Sequence, residues 1–337
     1  MSLLFTPMTI KGIELKNRIV MSPMGTLAAE EDGKVTEWHM LHYGARAMGQ
    51  VGLIILEATA VLEEGRDYPS NLGLWCDEQI PQMRQLVRML HENGSKAGVQ
   101  LWHAGRKRVM EGEPRSSSGL PYKGRATKAL TQEEVRETAA GFGQAAIRAA
   151  TAGFDVLEIH AAHGYLINDF LSPLTNTRED RYGGSREGRY QFLREIIDEV
   201  RSVWSGPLFV RVSANEYSEQ GNSIQDYVQF AAWMKQQDVD LVVCSSGGLL
   251  LESPRVYPGY QTPYAEMIRR EAHIATAAVG LITQGIQAEE ILQNGRADLV
   301  AIGRELLRDP YWPRTAAKQL GVRIQEPASY EGFWFGT

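Results

Sequence analysis

Short apolar runs alternate with amphipathic stretches along most of the chain. Eight runs rich in Val, Ile and Leu predict buried strands at Arg18–Ser22, Gly52–Glu57, Ala97–Leu101, Asp155–Ile159, Leu208–Val212, Leu241–Cys244, Val279–Thr283 and Leu299–Ile302. Near-continuous apolarity of this kind marks strands covered on both faces, as in a parallel sheet. Between them, apolar positions spaced three to four residues apart predict helices over Glu78–Asn93, Gln132–Ala152, Arg186–Val203, Ile224–Gln237, Tyr264–Ala272 and Ala288–Asn294. Gly94 and Gly153 stand where helix C-caps fall. Strand–helix alternation predicts an α/β fold, and eight units predict closure into a (β/α)8 TIM barrel. An open doubly wound sheet is the alternative, but the first strand lacks a following Gly-x-Gly-x-x-Gly.

Three stretches break the pattern. Pro7–Leu15 alternates weakly and predicts a hairpin plugging the barrel bottom. Arg106–Leu130 and Ser246–Thr262, rich in Gly, Pro and polar residues, predict long loops, which in a compact domain are usually functional. The aromatic tail after the last helix, Tyr330 to Phe335, predicts a docked segment, with 328–337 at a subunit interface. One domain is expected to span 1–337.

Composition narrows the classes. The chain has 337 residues, 43% hydrophobic and 23% charged, as an ordinary globule does. A net charge of −6 argues against nucleic-acid binding, and no apolar run has membrane-spanning length. Two cysteines, Cys76 and Cys244, form no metal or redox pair, which fits a reducing cytoplasm and leaves nothing to hold an iron–sulfur cluster. The first residues lack the basic start and apolar core of a signal peptide.

In a parallel barrel, chemistry sits at the C-terminal ends of the strands. The fourth predicted strand ends in His160-Ala161-Ala162-His163-Gly164-Tyr165, two imidazoles and a phenol within six residues. Two imidazoles can donate to an oxygen that gains negative charge, and a Tyr hydroxyl can give up a proton. A turn bonded only to its own backbone is the bland alternative. Gln100 and Arg211, on strands, would be held rigidly at the barrel mouth, where a buried Arg needs an electron-rich partner such as a ring with carbonyls and nitrogens. A salt bridge from Arg211 to Glu57 is the other reading. Gly285, Gly303 and Arg304, after the seventh and eighth strands, suit a phosphate.

These residues carry a resemblance. Leu15-Lys16-Asn17-Arg18-Ile19-Val20-Met21-Ser22-Pro23-Met24, Gln100-Leu101-x-His103-Ala104-Gly105-Arg106-Lys107, His160-Ala161-Ala162-His163-Gly164-Tyr165-Leu166 and Phe170-Leu171-Ser172-Pro173 resemble the old yellow enzyme family. So do Asn176-x-Arg178-x-Asp180-x-Tyr182-Gly183-Gly184-Ser185 and Gly303-Arg304-x-Leu306-Leu307-x-Asp309-Pro310, in order from about Leu3 to Tyr330. The bacterial YqjM-like ene-reductases (NADPH dehydrogenases) are the subgroup most similar. The resemblance implies non-covalent FMN lined by Ser22, Pro23, Met24, Gly25, Ala58, Gln100, Arg211, Gly303 and Arg304. It implies His160 and His163 on the substrate's activating oxygen and Tyr165 as proton donor. The implied enzyme takes electrons from NADPH or NADH and reduces the C=C bond of a small activated alkene, as a homodimer or homotetramer.

Four positions depart from the subgroup. Gly25 stands where it has Cys, Leu27 where it has a substrate-binding Tyr, Trp102 where a small residue is usual, and Gly332 near a usual Arg. Leu27 and Trp102 would then border the substrate. Two other functions are weighed: a flavin-binding protein with little turnover, and a metal-dependent barrel hydrolase using His160 and His163 as ligands. Arg106, Lys107 and Arg108 form either a grip for an anionic nicotinamide cofactor or a solvated basic loop.

Overall fold

The structure, a computed structural model, describes residues 2–252 and 255–335. Residues 253–254 of the Ser246–Thr262 loop and 336–337 of the tail lie outside it. The chain opens with an antiparallel hairpin, β1 (Met8–Ile10) and β2 (Ile13–Leu15). Strands β3 (Ile19–Met21), β4 (Leu53–Ala60) and β5 (Lys96–Trp102) follow. The loop after β5 holds a short pairing of β6 (Arg115–Ser116) and β7 (Lys128–Ala129). Then come β8 (Val156–Ala161), β9 (Leu208–Ser213), β10 (Leu241–Ser245), β11 (Ala275–Ala278) and β12 (Leu299–Ile302). All strands except the hairpin and the loop pair close into one barrel, in the order β3-β4-β5-β8-β9-β10-β11-β12 and back to β3. Every barrel pairing is parallel.

Helices fill the connections: α1 (Glu37–Met48), α2 (Ile80–Glu92), α3 (Gln132–Ala152), α4 (Leu166–Leu171), α5 (Arg186–Val203), α6 (Ile224–Gln236), α7 (Thr262–Ala272), α8 (Gly285–Gln293), α9 (Arg304–Arg308) and α10 (Trp312–Gln319). The predicted TIM barrel is the observed fold. Gly153 closes α3 in the left-handed conformation, φ 93°, as a C-cap glycine does.

Strand side chains alternate, so every strand faces both ways. Ile54, Val99, Leu157, Val210 and Val242 point out, into the core shared with the helices. Val20, Leu53, Ile55, Val156, Phe209, Val243 and Leu299 point in and fill the barrel. Ile10 and Leu15 of the hairpin close this inner core, as the expected bottom plug would. One step higher on the same inward faces, the residues turn polar: Ser22, Gln100, Glu158, Arg211 and Ser245, all buried. That change from an apolar to a polar layer makes the floor of the site.

The short helices α4, α9 and α10 and the β6–β7 pair carry no sequence expectation, and two further differences bear on the site. The seventh strand is Ala275–Ala278, not Val279–Thr283. Its residues are mostly alanines with little β-preference, and the more apolar run just after it is a loop, with Gly280 at φ 125° and Leu281 at φ 51°. Helix α1 had no sequence signal because its buried face carries His39, His42, Tyr43 and Arg46 in place of a Leu stripe. That face holds Glu57: the Tyr43 hydroxyl donates to its carboxylate at 3.2 Å and Thr26 N–H at 2.7 Å. Glu57 is thus engaged with α1 and the first loop, and Arg211 takes a different partner.

In the tail, Trp334 is buried edge-on against Tyr311, ring centroids 5.8 Å apart, with Arg314 over its face. Part of the tail therefore docks on its own chain. Phe333 is 82% exposed.

Candidate active site

Two adjoining cavities open at the C-terminal ends of the strands. One, of about 290 Å³, is lined by Pro23, Gly25, Leu27, Ala58, Gln100, Trp102, His160, His163, Tyr165 and Arg211, with Asp67, Tyr68 and Asn71 at its rim. The other, of about 360 Å³, runs from Ser22, Pro23 and Met24 past Ser245, Ser246, Tyr260 and Gln261 to Gly280, Gly303 and Arg304. Pro23, His163 and Arg211 border both, so the two form one continuous groove. The predicted site residues meet there, with one exception. Gly285 opens α8, where a Cβ would stand 2.7 Å from Ala316, and Gln319 accepts its N–H at 2.5 Å. Because β11 ends five residues earlier than expected, Gly280 is the glycine at the groove after the seventh strand.

The floor is rigid. Arg211 is buried, and its Nη1 donates to Ser22 Oγ at 2.7 Å. Among the described residues its buried Nε has no hydrogen-bond partner. A buried, unmatched donor asks for an acceptor. At the other end, Arg304 is exposed and, among the described residues, has no ion pair, leaving a free cation beside Gly280 and Gly303. A Cβ on Gly25 would meet nothing within 4 Å, so that edge of the groove is open. A ring on the floor with its phosphate between the last two strand ends fits this arrangement. Ser22, Pro23, Met24, Gly25, Ala58, Gln100, Arg211, Gly303 and Arg304 line the groove and could hold it.

The catalytic candidates rise from β8. His163 sits at φ 59°, held by its own N–H donating to Ser213 Oγ at 2.8 Å. This left-handed turn folds its ring back toward His160. The facing nitrogens, His163 Nδ1 and His160 Nε2, are 3.3 Å apart. His160 Nδ1 accepts the Ala162 N–H at 3.2 Å, so a neutral His160 carries its proton on Nε2. His163 Nε2 lies 2.6 Å from Ser245 Oγ, which reaches Gln261 Oε1 at 3.3 Å. When Ser245 donates to Nε2, the His163 proton moves to Nδ1, and both rings then present N–H groups to one oxygen. Burial holds both imidazoles well below their ordinary pKa, so they are neutral donors at pH 7.

Tyr165 caps the start of α4 and packs edge-on to Trp102 and His160, with centroids at 5.2 and 5.0 Å. The Lys107 ammonium lies 5.2 Å from its ring centre. Burial pushes the phenol up to about 12, which keeps it protonated. Lys107 also donates to Gly248 O at 2.7 Å, so it ties two top loops together. In the sequence Ser245 is only one of several polar groups at the sixth strand's end, with no role assigned, and Gln261 has no signal at all. A hydroxyl and an amide at strand and loop ends are too common to stand out, although the strand-end rule covers Ser245.

A closed parallel barrel with a phosphate-sized groove across its seventh and eighth strand ends, and paired donors beside a phenol, defines a cofactor-dependent barrel enzyme. Comparison with known proteins supplies the family. Residues 3–322 match the NADH:flavin oxidoreductase / NADH oxidase family. The chain is 58% identical over 334 residues to an NADPH dehydrogenase of Bacillus subtilis (strain 168), covering 98% of this chain and 99% of that one. It is 56% identical over 336 residues to an NADPH dehydrogenase of Geobacillus sp. (strain WCH70), covering 99% of both. Its fold is similar to that of an old yellow enzyme homologue from Zymomonas mobilis, with a TM-score of 0.79, 26% identity and coverage of 99% of this chain and 97% of that one. The protein belongs to the old yellow enzyme family of FMN-dependent NADH/NADPH oxidoreductases.

Proposed function

We propose that the protein uses NADPH or NADH to reduce the C=C bond of activated alkenes: α,β-unsaturated ketones and aldehydes, imides and nitroalkenes. The observation that carries this reading is the pairing of His160 Nε2 and His163 Nδ1, 3.3 Å apart, beside Tyr165 and above the Gln100–Arg211 floor. Bound FMN supplies the two-electron chemistry between nicotinamide and alkene. The chain's own groups do the rest. His160 and His163 donate to the substrate's activating oxygen and hold it more tightly as it becomes enolate-like, which is where such donors accelerate a reaction. Tyr165 delivers the proton to the carbon next to the activating group. Trp102 and Leu27 give the substrate side an apolar wall.

The hydrolase reading requires a third ligand near the histidines. Among the described residues no group of three His, Cys, Asp or Glu is placed to hold a metal. The His163 and His160 outer nitrogens are engaged by Ser245 and by the Ala162 N–H.

The test separates the two half-reactions. The His160→Ala, His163→Ala double variant is reduced anaerobically with NADPH, then mixed with cyclohexenone. Flavin reduction at saturating NADPH should change little, alkene reduction should fall by about 10²-fold or more, and binding of phenols, read in the flavin spectrum, should weaken. Phenol binding and alkene turnover at wild-type levels would overturn the assignment.

A further inference from the structure

Glu158 takes no part in the reaction just described, yet it is an ionisable group inside the barrel. It is fully buried on the inward face of β8, one step below His160. The register sets it beside Gln100, whose Nε2 donates to its Oε1 at 2.6 Å. Among the described residues its Oε2 has no hydrogen-bond partner. On the next strand Arg211 likewise keeps Nε unpartnered, and it attracts the Glu158 carboxylate without a direct hydrogen bond. The groups facing Glu158 are few. Arg211 is the cation, from β9; Gln100 is neutral, from β5; His160, on its own strand, stays neutral. The inward side chains below are apolar: Val156, Phe209, Leu53, Ile55 and Val243. Glu158 does not line the groove, whereas Gln100 and Arg211 do.

We propose that Glu158 is a positioning residue that acts through Arg211 as its counter-charge, ionised under the oxidised flavin and protonated when the ring above gains negative charge on reduction. The proposal rests on FMN occupying the Gln100–Arg211 floor. The balance is simple. Nicotinamide passes two electrons and one proton, as hydride, to the ring, which gains one negative charge. One further proton comes from solvent to a Glu158 oxygen. Burial outweighs Arg211 and the Gln100 hydrogen bond and pushes the carboxyl up to about 7, so a small change in local charge moves its proton. A carboxylate left ionised there would oppose reduction of the ring; a protonated one leaves Arg211 free to offset the new charge.

The test is Glu158→Gln, which keeps shape and an acceptor for Gln100. The midpoint potential of the FMN-loaded protein is measured against pH on both sides of neutrality, for wild type and variant. The wild type should show a window near neutral pH with twice the slope of the variant, two protons per two electrons instead of one. The curves should converge in acid and separate in alkali, with the variant at the higher potential. A purely structural role offsets the curve equally at every pH, so parallel curves overturn the proposal. A second measurement needs no variant: the redox-difference infrared spectrum of the wild type should gain a protonated-carboxyl C=O band on reduction, and its absence overturns the proposal. Wild type that binds no FMN overturns the site reading as well; bound FMN with parallel curves overturns this inference alone.

Discussion

Replacing Tyr165 by Phe is the cleanest probe of the proposed chemistry, because the structure isolates one hydroxyl. The ring contacts, to Trp102 at 5.2 Å, His160 at 5.0 Å and the Lys107 ammonium at 5.2 Å, all survive in Phe. Folding and FMN binding should therefore be unchanged. What is lost is a positioned proton donor, a contribution of about 10²–10⁴ in rate, or roughly 2.7–5.4 kcal/mol of barrier. The assay is anaerobic stopped flow: the variant is reduced with NADPH, then mixed with alkenes of graded activation. Reduction by NADPH should match wild type. Alkene reduction should fall most for weakly activated substrates, where protonation and bond reduction are most closely coupled. Because burial pushes the phenol up to about 12, its neutral form persists past the ordinary tyrosine range, and the wild-type alkene rate should not fall on the basic side until well above pH 10. Equal rates for Phe and Tyr with every alkene, or an alkaline limb at the ordinary phenol value of about 10, would refute the role.

Arg304→Ala removes the free cation at the phosphate end of the groove and should weaken FMN binding by about 1.5–3 kcal/mol, roughly 10- to 150-fold, measured by fluorescence titration of the apoprotein. His103 is buried with its Nδ1 accepting the Gly105 N–H, and burial pushes it down to about 3. It binds a proton in the unfolded chain below about pH 6.5 but not in the native one, so its contribution to stability is intact above that pH and is lost as pH falls toward 3; His103→Gln should flatten the dependence of Tm on pH in that range. Gly25→Cys places a thiol in open space at the groove, and peroxide should inactivate the variant while sparing wild type, whose Cys244 is buried and held protonated. Trp334→Ala should lower Tm by removing a ring packed on Tyr311 and Arg314, whereas Phe333→Ser, at an exposed position, should leave Tm alone and reduce any self-association seen by light scattering.

Most of the barrel was legible because its strands obey one physical rule. A strand covered inside and out needs apolar residues at successive positions, and Leu53–Leu56, Leu208–Val210 and Leu241–Cys244 show that run plainly. The failures follow from the same rule. Ala275–Ala278 is built from small residues with little apolar signal, so the signal slides to Val279–Ile282, which is a loop. A slip of five residues at the strand's end moved the expected phosphate glycine from Gly280 to Gly285. Helix α1 hid for the opposite reason: its buried face is polar because it has to hold Glu57, and apolar periodicity cannot report such a face.

The site was legible where unusual side chains stand at strand ends, and illegible where ordinary ones complete a network. Two histidines and a tyrosine in six residues are conspicuous; the hydroxyl bonded to one of them is not. Ser245 matters because the fold brings it 2.6 Å from His163 Nε2, across 82 residues of chain. Glu158 shows the same limit more sharply. In the sequence it reads as a strand residue in an apolar run, where a carboxylate is out of place. Only the closed barrel shows why it is tolerated: Gln100 satisfies one oxygen, Arg211 supplies the opposing charge, and both line the groove above it. A charge in a buried strand is costly unless something compensates it, and here the compensating groups are the ones proposed to hold the flavin. The proposed coupling ties the one apparent misfit of that strand to redox chemistry at its end.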